Sequence, residues 1–235
     1  MRVLALDTTT RDGSVAIVED DTVIVEERGD FSRPHAERLP GDVVRALAAA
    51  RLSVSDIDLF AVVSGPGSFT GVRIGIATVQ GMALVQGKRV VAVSTLMALA
   101  EAISPALVSG ALVGTWMDAH RRSVFSGLWR VRSDELFSAG RLEEVEAATV
   151  GGPEETLSRW QAAATAPSFI GGDGAIMYAG AIGDAAVVVV APPLASVVGR
   201  MAVALGRDGA TLHPAGVRPL YVRRPDAEVA RDARR

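Results

Sequence analysis

Residues 64–75 read Ser-Gly-Pro-Gly-Ser-Phe-Thr-Gly-Val-Arg-Ile-Gly, four glycines and a proline in twelve positions. The apolar run Ile57 to Val63 just before them reads as a strand buried on both faces. Glycine-rich loops after strands often cradle phosphate. Here, however, Gly65, Gly67 and Gly71 are spaced one residue too far for the dinucleotide fingerprint, and no lysine-hydroxyl pair follows as in a P-loop. The stretch reads instead as a structural loop: Gly65, Pro66 and Gly67 make the turn, Ser68 is a loop hydroxyl, and Thr70 caps a helix from Gly71 to about Val85, stopped by Gly87.

Working outward, Val3 to Leu6 predicts a short buried strand. Ser14 to Val18 and Thr22 to Glu26 alternate like hairpin partners. His35 to Leu52 carries apolar residues at Leu39, Val43, Val44, Leu47 and Ala48, the period of an amphipathic helix. Val90 to Val93 predicts a further strand, and Ser94 caps a helix to about Ile103. The second half begins as the first does. Ala111 to Met117 is an apolar strand ending on Asp118, as the first strand ends on Asp7, and Ser123 to Arg130 alternates after it. Helices opened by Pro153 and Pro193, a short strand Ser168 to Ile170, and a strand-like stretch Pro219 to Arg223 before a charged, solvated tail complete the pattern. The division expected is a complete lobe over residues 1–102 and a reduced second lobe with its tail over 103–235.

Composition narrows the function. Nearly half of the 235 residues are apolar and 22% are charged, a globular balance. Without cysteine there is no disulfide, zinc knuckle or catalytic thiol, which fits a reducing cytoplasm. The N-terminus predicts neither a signal peptide nor a membrane span. A net charge of −3 argues against a nucleic-acid binder acting alone.

Taken together, Leu4-Ala-Leu-Asp-Thr-Thr-Thr10, His35-x-x-x-Leu39, the stretch 64–75, Val93-Ser-Thr-Leu96 and Pro219-Leu-Tyr-Val222 resemble the TsaB, or YeaZ, family over nearly the whole chain. The resemblance implies an actin-like, two-lobe α/β fold with mixed sheets flanked by helices. It implies a non-catalytic subunit of tRNA N6-threonylcarbamoyladenosine (t6A) modification: a heterodimer with a TsaD homologue, a TsaE homologue reached through the complex, tRNA met only there, and a homodimer when alone. In the family, the helix after the glycine loop and the helix beginning near His35 form the partner interface. That places His35, Leu39, Val43, Leu47, Gly71, Gly75, Thr78 and Met82 in it.

The phosphate turn of actin-like proteins is Asp-x-Gly-Ser/Thr, with glycine admitting the phosphate to the backbone. Thr9 stands in the glycine place. Asp7, Thr8, Thr9 and Thr10 therefore read as turn and capping residues, and with Gly171 and Gly172 as a vestigial nucleotide site. No cofactor is required, and weak ATP or ADP binding is the one such reading retained. His35 resembles the first histidine of a metal-binding pair, but Leu39 holds the second place, and His120 and His213 lack ligand spacing to it, so no metal is expected. On the helix after the loop, Gly71, Gly75 and Thr78 form one small-residue stripe and Ala77, Gly81 and Val85 another, one for internal packing and one spare. Two other functions stay open: an active ATPase or phosphotransferase of the same fold, and a peptidase. The second lacks H-E-x-x-H and G-x-S-x-G and leaves Ser68 without a recognisable base.

Overall fold

A computed structural model describes residues 1–223. The charged tail beyond Arg223 lies outside the described residues. Strands β1 (Arg2–Asp7), β2 (Ser14–Glu19) and β3 (Thr22–Arg28) form an antiparallel meander. Helix α1 (His35–Ala49), β4 (Leu59–Gly65), α2 (Phe69–Val85) and β5 (Arg89–Ser94) follow, and β4 and β5 add parallel to β1. The first sheet therefore runs β3-β2-β1-β4-β5.

Helix α3 (Thr95–Ile103) leads into a second sheet of β6 (Leu112–Asp118), β7 (Val124–Val131), β8 (Leu142–Gly151), β9 (Phe169–Gly171) and β10 (Val187–Val189). Its order, β8-β7-β6-β9-β10, repeats that of the first. β9 and β10 are only three residues each, so the second copy is smaller in its parallel half. Helix α4 (Pro153–Ala162) and the short α5 (Asp173–Met177) and α6 (Ala179–Ile182) lie on its outer side, and α7 (Ala195–Arg207) comes last. Among the described residues no helix is long and apolar enough to cross a membrane.

Alternation along the strands assigns the layers. Leu4, Leu6, Val15, Ile17, Phe60 and Val62 bury one face of the first sheet against Leu39, Val43 and Leu47 of α1 and Val72, Ile76 and Val79 of α2. The other face, with Val3, Ala5, Val18 and Ala61, meets α7 and α3. α3 continues onto the second sheet, where Val113, Met117 and Trp129 join the same core. Trp116 and Leu128 point the other way, to Trp160 of α4. Thus α7, late in the chain, covers the sheet built first. Gly199 makes this close: a Cβ there would stand 2.6 Å from a Val18 methyl.

Four readings of the sequence change. β8 is a full ten-residue strand that the sequence pattern did not announce. Two of its three glutamates are paired, Glu143 with Arg132 at 2.6 Å and Glu146 with Arg159 at 3.0 Å. The helix cap is Ser68, whose Oγ accepts the Gly71 N–H at 3.2 Å, so Thr70 lies inside the first turn of α2. The helix expected from Pro193 starts at Ala195. Finally, Pro219 to Arg223 is no strand; it is an extended strap, held by the Leu220 N–H on the Ser64 carbonyl at 2.8 Å.

Candidate functional site

The turn between β1 and β2 is where an actin-like protein would receive phosphate, and here it is filled from within. Asp7 is buried, and its Oδ1 accepts both the Thr9 N–H at 2.9 Å and the Thr9 hydroxyl at 2.6 Å. Burial pushes its carboxyl above the ordinary carboxylate range, the two Thr9 bonds opposing. The Gly13 N–H turns inward too, to Thr10 Oγ1 and Asp12 Oδ1. Asp118, the counterpart on β6, repeats the device: its Oδ1 accepts the His120 N–H at 2.8 Å.

The glycine loop closes on this turn. The Ser68 N–H donates to the Thr9 carbonyl at 2.8 Å. A Cβ on Gly67 would stand 2.7 Å from Thr9 Cβ, one on Gly71 would overlap the Thr8 carbonyl oxygen, and one on Gly75 the Thr8 hydroxyl. Each glycine admits one part of the Thr8-Thr9 pair. Residues 64–75 are a socket for the threonine turn of their own lobe. Gly65, in the left-handed region at φ 108°, gives way to the Leu220 carbonyl.

Between the lobes a cleft of about 210 Å³ is lined by Asp7, Thr10, Asp12, Arg28, Gly172 and Asp173 among others. Asp173 Oδ1 accepts the N–H groups of Asp118 and Gly174, and burial raises its carboxyl also. Three carboxylates face one arginine, itself 3.9 Å from Asp12. A polyphosphate entering there meets this negative charge. Of the two glycines expected here only Gly172 lines the cleft, and both are required by packing: a Cβ on Gly171 would stand 2.6 Å from an Ile103 methyl, and one on Gly172 would overlap the Trp116 carbonyl.

His35 opens α1 and is buried. Its Nε2 lies 2.8 Å from the Thr10 carbonyl, and its Nδ1 lies 2.9 Å from an Arg38 amino group. A guanidinium only donates, so Nδ1 accepts and Nε2 carries the proton. Burial holds the imidazole below its ordinary pKa. Arg38 in turn pairs with Asp42 and donates to the Asp12 carbonyl, tying α1 to the turn. Both ring nitrogens of His35 are therefore occupied.

Burial also divides the expected partner surface. His35, Leu39, Val43, Leu47, Gly71 and Gly75 are buried within their own lobe, which leaves their side chains little surface for a partner. Thr78 and Met82 are partly buried between the layers. What faces outward is the other stripe: Ala77, Gly81, Leu84 and Val85 on α2, beside Gly41, Val44 and Ala48 on α1. Val85 is 83% and Val44 65% exposed. Sequence periodicity showed both stripes but not which one the Thr8-Thr9 turn would occupy.

Two sheets of one strand order, each with an aspartate turn after its first strand, define an actin-like two-lobe protein. The comparisons agree. YeaZ from Pseudomonas aeruginosa superposes with a TM-score of 0.77 at 29% identity, covering 94% of this chain and 99% of that one. The family model described as TsaD, tRNA N6-adenosine threonylcarbamoyltransferase, matches residues 29–156. An uncharacterized protein of Mycobacterium tuberculosis is 34% identical over 96% of this chain and 93% of its own. The tRNA threonylcarbamoyladenosine biosynthesis protein TsaB of Haemophilus influenzae is 33% identical over 68% of each chain. That of Escherichia coli is 43% identical over 43% of each. The chain belongs to the TsaB family.

Proposed function

We propose that this protein serves tRNA t6A biosynthesis as an assembly and activation subunit. It pairs with a TsaD-type transferase through the outward face of α1 and α2 and contributes no catalytic group of its own. A TsaE-type ATPase and tRNA join through that complex. The observation that carries the reading is the exposed stripe Ala77, Gly81, Leu84 and Val85 with Val44 and Ala48, a smooth apolar face alongside a phosphate turn plugged by Thr9. Small side chains allow two helical surfaces to approach closely, and a contiguous apolar patch of this kind is a protein-contact feature. The names of the TsaB relatives supply the pathway.

Reconstitution tests it. Purified transferase, ATPase and a threonylcarbamoyl donor system act on unmodified tRNA, and t6A is measured by mass spectrometry with and without this chain. Loss of t6A on omission is expected, and unchanged t6A would refute the role. On the same reading, ATP or ADP binds the Asp7 turn weakly at most. Calorimetric heat that disappears in Asp7→Ala would revive the ATPase alternative.

A further inference from the structure

A second hollow, of about 510 Å³, lies on the other side of the glycine loop. Its walls are Pro66 to Thr70 from the loop, Asp118 to His120 from the end of β6, Phe125 of β7, and Leu220 to Arg223 of the strap. Three aromatic rings line it: Phe69, Phe125 and Tyr221. Phe69 and Tyr221 are 45% and 43% exposed, yet they are not loose. Their centroids are 5.5 Å apart, and Arg73 fastens them, its guanidinium 3.7 Å from the Phe69 centroid and its Nε donating to the Tyr221 hydroxyl at 2.7 Å. Opposite, Arg223 donates to the Ala119 carbonyl at 2.8 Å and lies 6.0 Å from the Phe125 centroid.

The charge of the hollow departs from that of the chain. Its one carboxylate, Asp118, already accepts the His120 N–H and lies 2.9 Å from His120 Nδ1. Arg223 lines the wall, and the turn bearing His120 continues into Arg121 and Arg122, both exposed. A hydrocarbon ligand would cover the Arg223 guanidinium without compensating it, and a bare anion would leave three rings unused. Flat π-faces beside guanidinium groups match a heteroaromatic base bearing a phosphate. The volume is that of an ordinary small-molecule site.

We propose that this hollow binds one nucleotide unit, base against the aromatic rings and phosphate toward Arg223 and the 120–122 turn, offered as a free mononucleotide or as an unstacked residue of an RNA strand. The site is separate from the interlobe cleft, and it stands apart from the pairing role proposed above.

Calorimetry on the whole protein, with AMP, ribose 5-phosphate and a single-stranded oligoadenylate, tests it. AMP binds better than ribose 5-phosphate; Phe69→Ala and Tyr221→Ala each weaken AMP by about tenfold, while Tyr221→Phe retains it. Ile176→Arg, which plugs the interlobe cleft, leaves AMP binding intact. An oligomer that binds more tightly than AMP, and loses affinity with salt, identifies a strand as the source; AMP binding that the oligomer does not exceed identifies the free nucleotide. The proposal is overturned if AMP and ribose 5-phosphate bind alike, if no probe binds at millimolar concentration, if both aromatic-to-alanine variants, folded by circular dichroism, bind as the parent does, or if Ile176→Arg abolishes binding. Any of these with t6A formation still dependent on the chain removes this site and leaves the subunit role standing.

Discussion

Gly75 is packed so tightly on Thr8 that a methyl group on it would overlap the threonine hydroxyl, although 67 positions separate them in the chain. Gly75→Ala is therefore expected to cost about 1–3 kcal/mol in urea unfolding, as overpacked core sites do. Gly81, on the outward stripe of the same helix, meets nothing within 4 Å. Gly81→Ala should be neutral or stabilise by up to about 1 kcal/mol, the helix propensity difference. Equal effects of the two would contradict the assignment of the stripes.

Partner contact follows from the same division. A bulky charge at Gly75 would test folding and not association. Ala77→Arg and Gly81→Arg place the charge on the exposed face and should leave circular dichroism unchanged. Light scattering with the TsaD-type partner is expected to show association weakened by at least about tenfold, since an unpaired interface charge is costly. Association equal to the parent's in both variants would move the contact elsewhere.

Asp7 holds the turn by two bonds from Thr9. Asp7→Ala leaves the Thr9 N–H without its partner and is expected to destabilise by about 1–3 kcal/mol. Asp7→Asn, which keeps an acceptor oxygen, should cost less. A phosphate-binding aspartate would instead show its main effect in ligand binding, with little change in the unfolding midpoint.

Acid weakens the fold through His35. Burial holds the folded imidazole below the ordinary 6.5, so as pH falls the unfolded chain takes the proton first and stability drops below that value. Asp7 and Asp173, raised by burial, act oppositely at lower pH because the folded chain takes their protons first. Comparing Tm at about pH 7.5 and about pH 5.5 in the parent and in His35→Gln isolates the histidine. The parent should lose more on acidification, and parallel curves would exclude His35 as the cause.

Glu101 of α3 and Arg141 form a buried pair at 3.1 Å. Glu101 also accepts the Phe137 N–H at 2.7 Å, and Arg141 donates to Ser104 Oγ at 2.8 Å. Arg141→Ala strands a buried carboxylate and is expected to cost about 3–5 kcal/mol by chemical denaturation; a double change to apolar residues of similar volume should recover most of it.

Much of the first lobe is legible in the sequence because its strands are continuous apolar runs and α1 is periodic. Even there, Pro40 sits inside α1 on the exposed side, a departure that periodicity does not register. β8 escaped because an edge strand carrying Glu143, Glu144 and Glu146 looks like a solvated segment until Arg132 and Arg159 come across to pair with it. Asp7 and Asp118 stood out as equivalents, and the shared strand order bears this out. The closure of the glycine loop on Thr8 and Thr9, and the hollow between Phe69 and Tyr221, are meetings of distant segments that no local pattern encodes.

The position of α7 carries a consequence for biosynthesis. The face of the first sheet bearing Val3, Ala5 and Val18 is covered by residues from Ala195 onward, and the glycine loop is clamped by Leu220. A ribosome that has released residues 1–102 has therefore delivered every strand of the first sheet and nearly all of α3, but not α7, the larger part of its second wall. The nascent lobe waits with the part of that face under α7 bare until residues 195–207 have emerged.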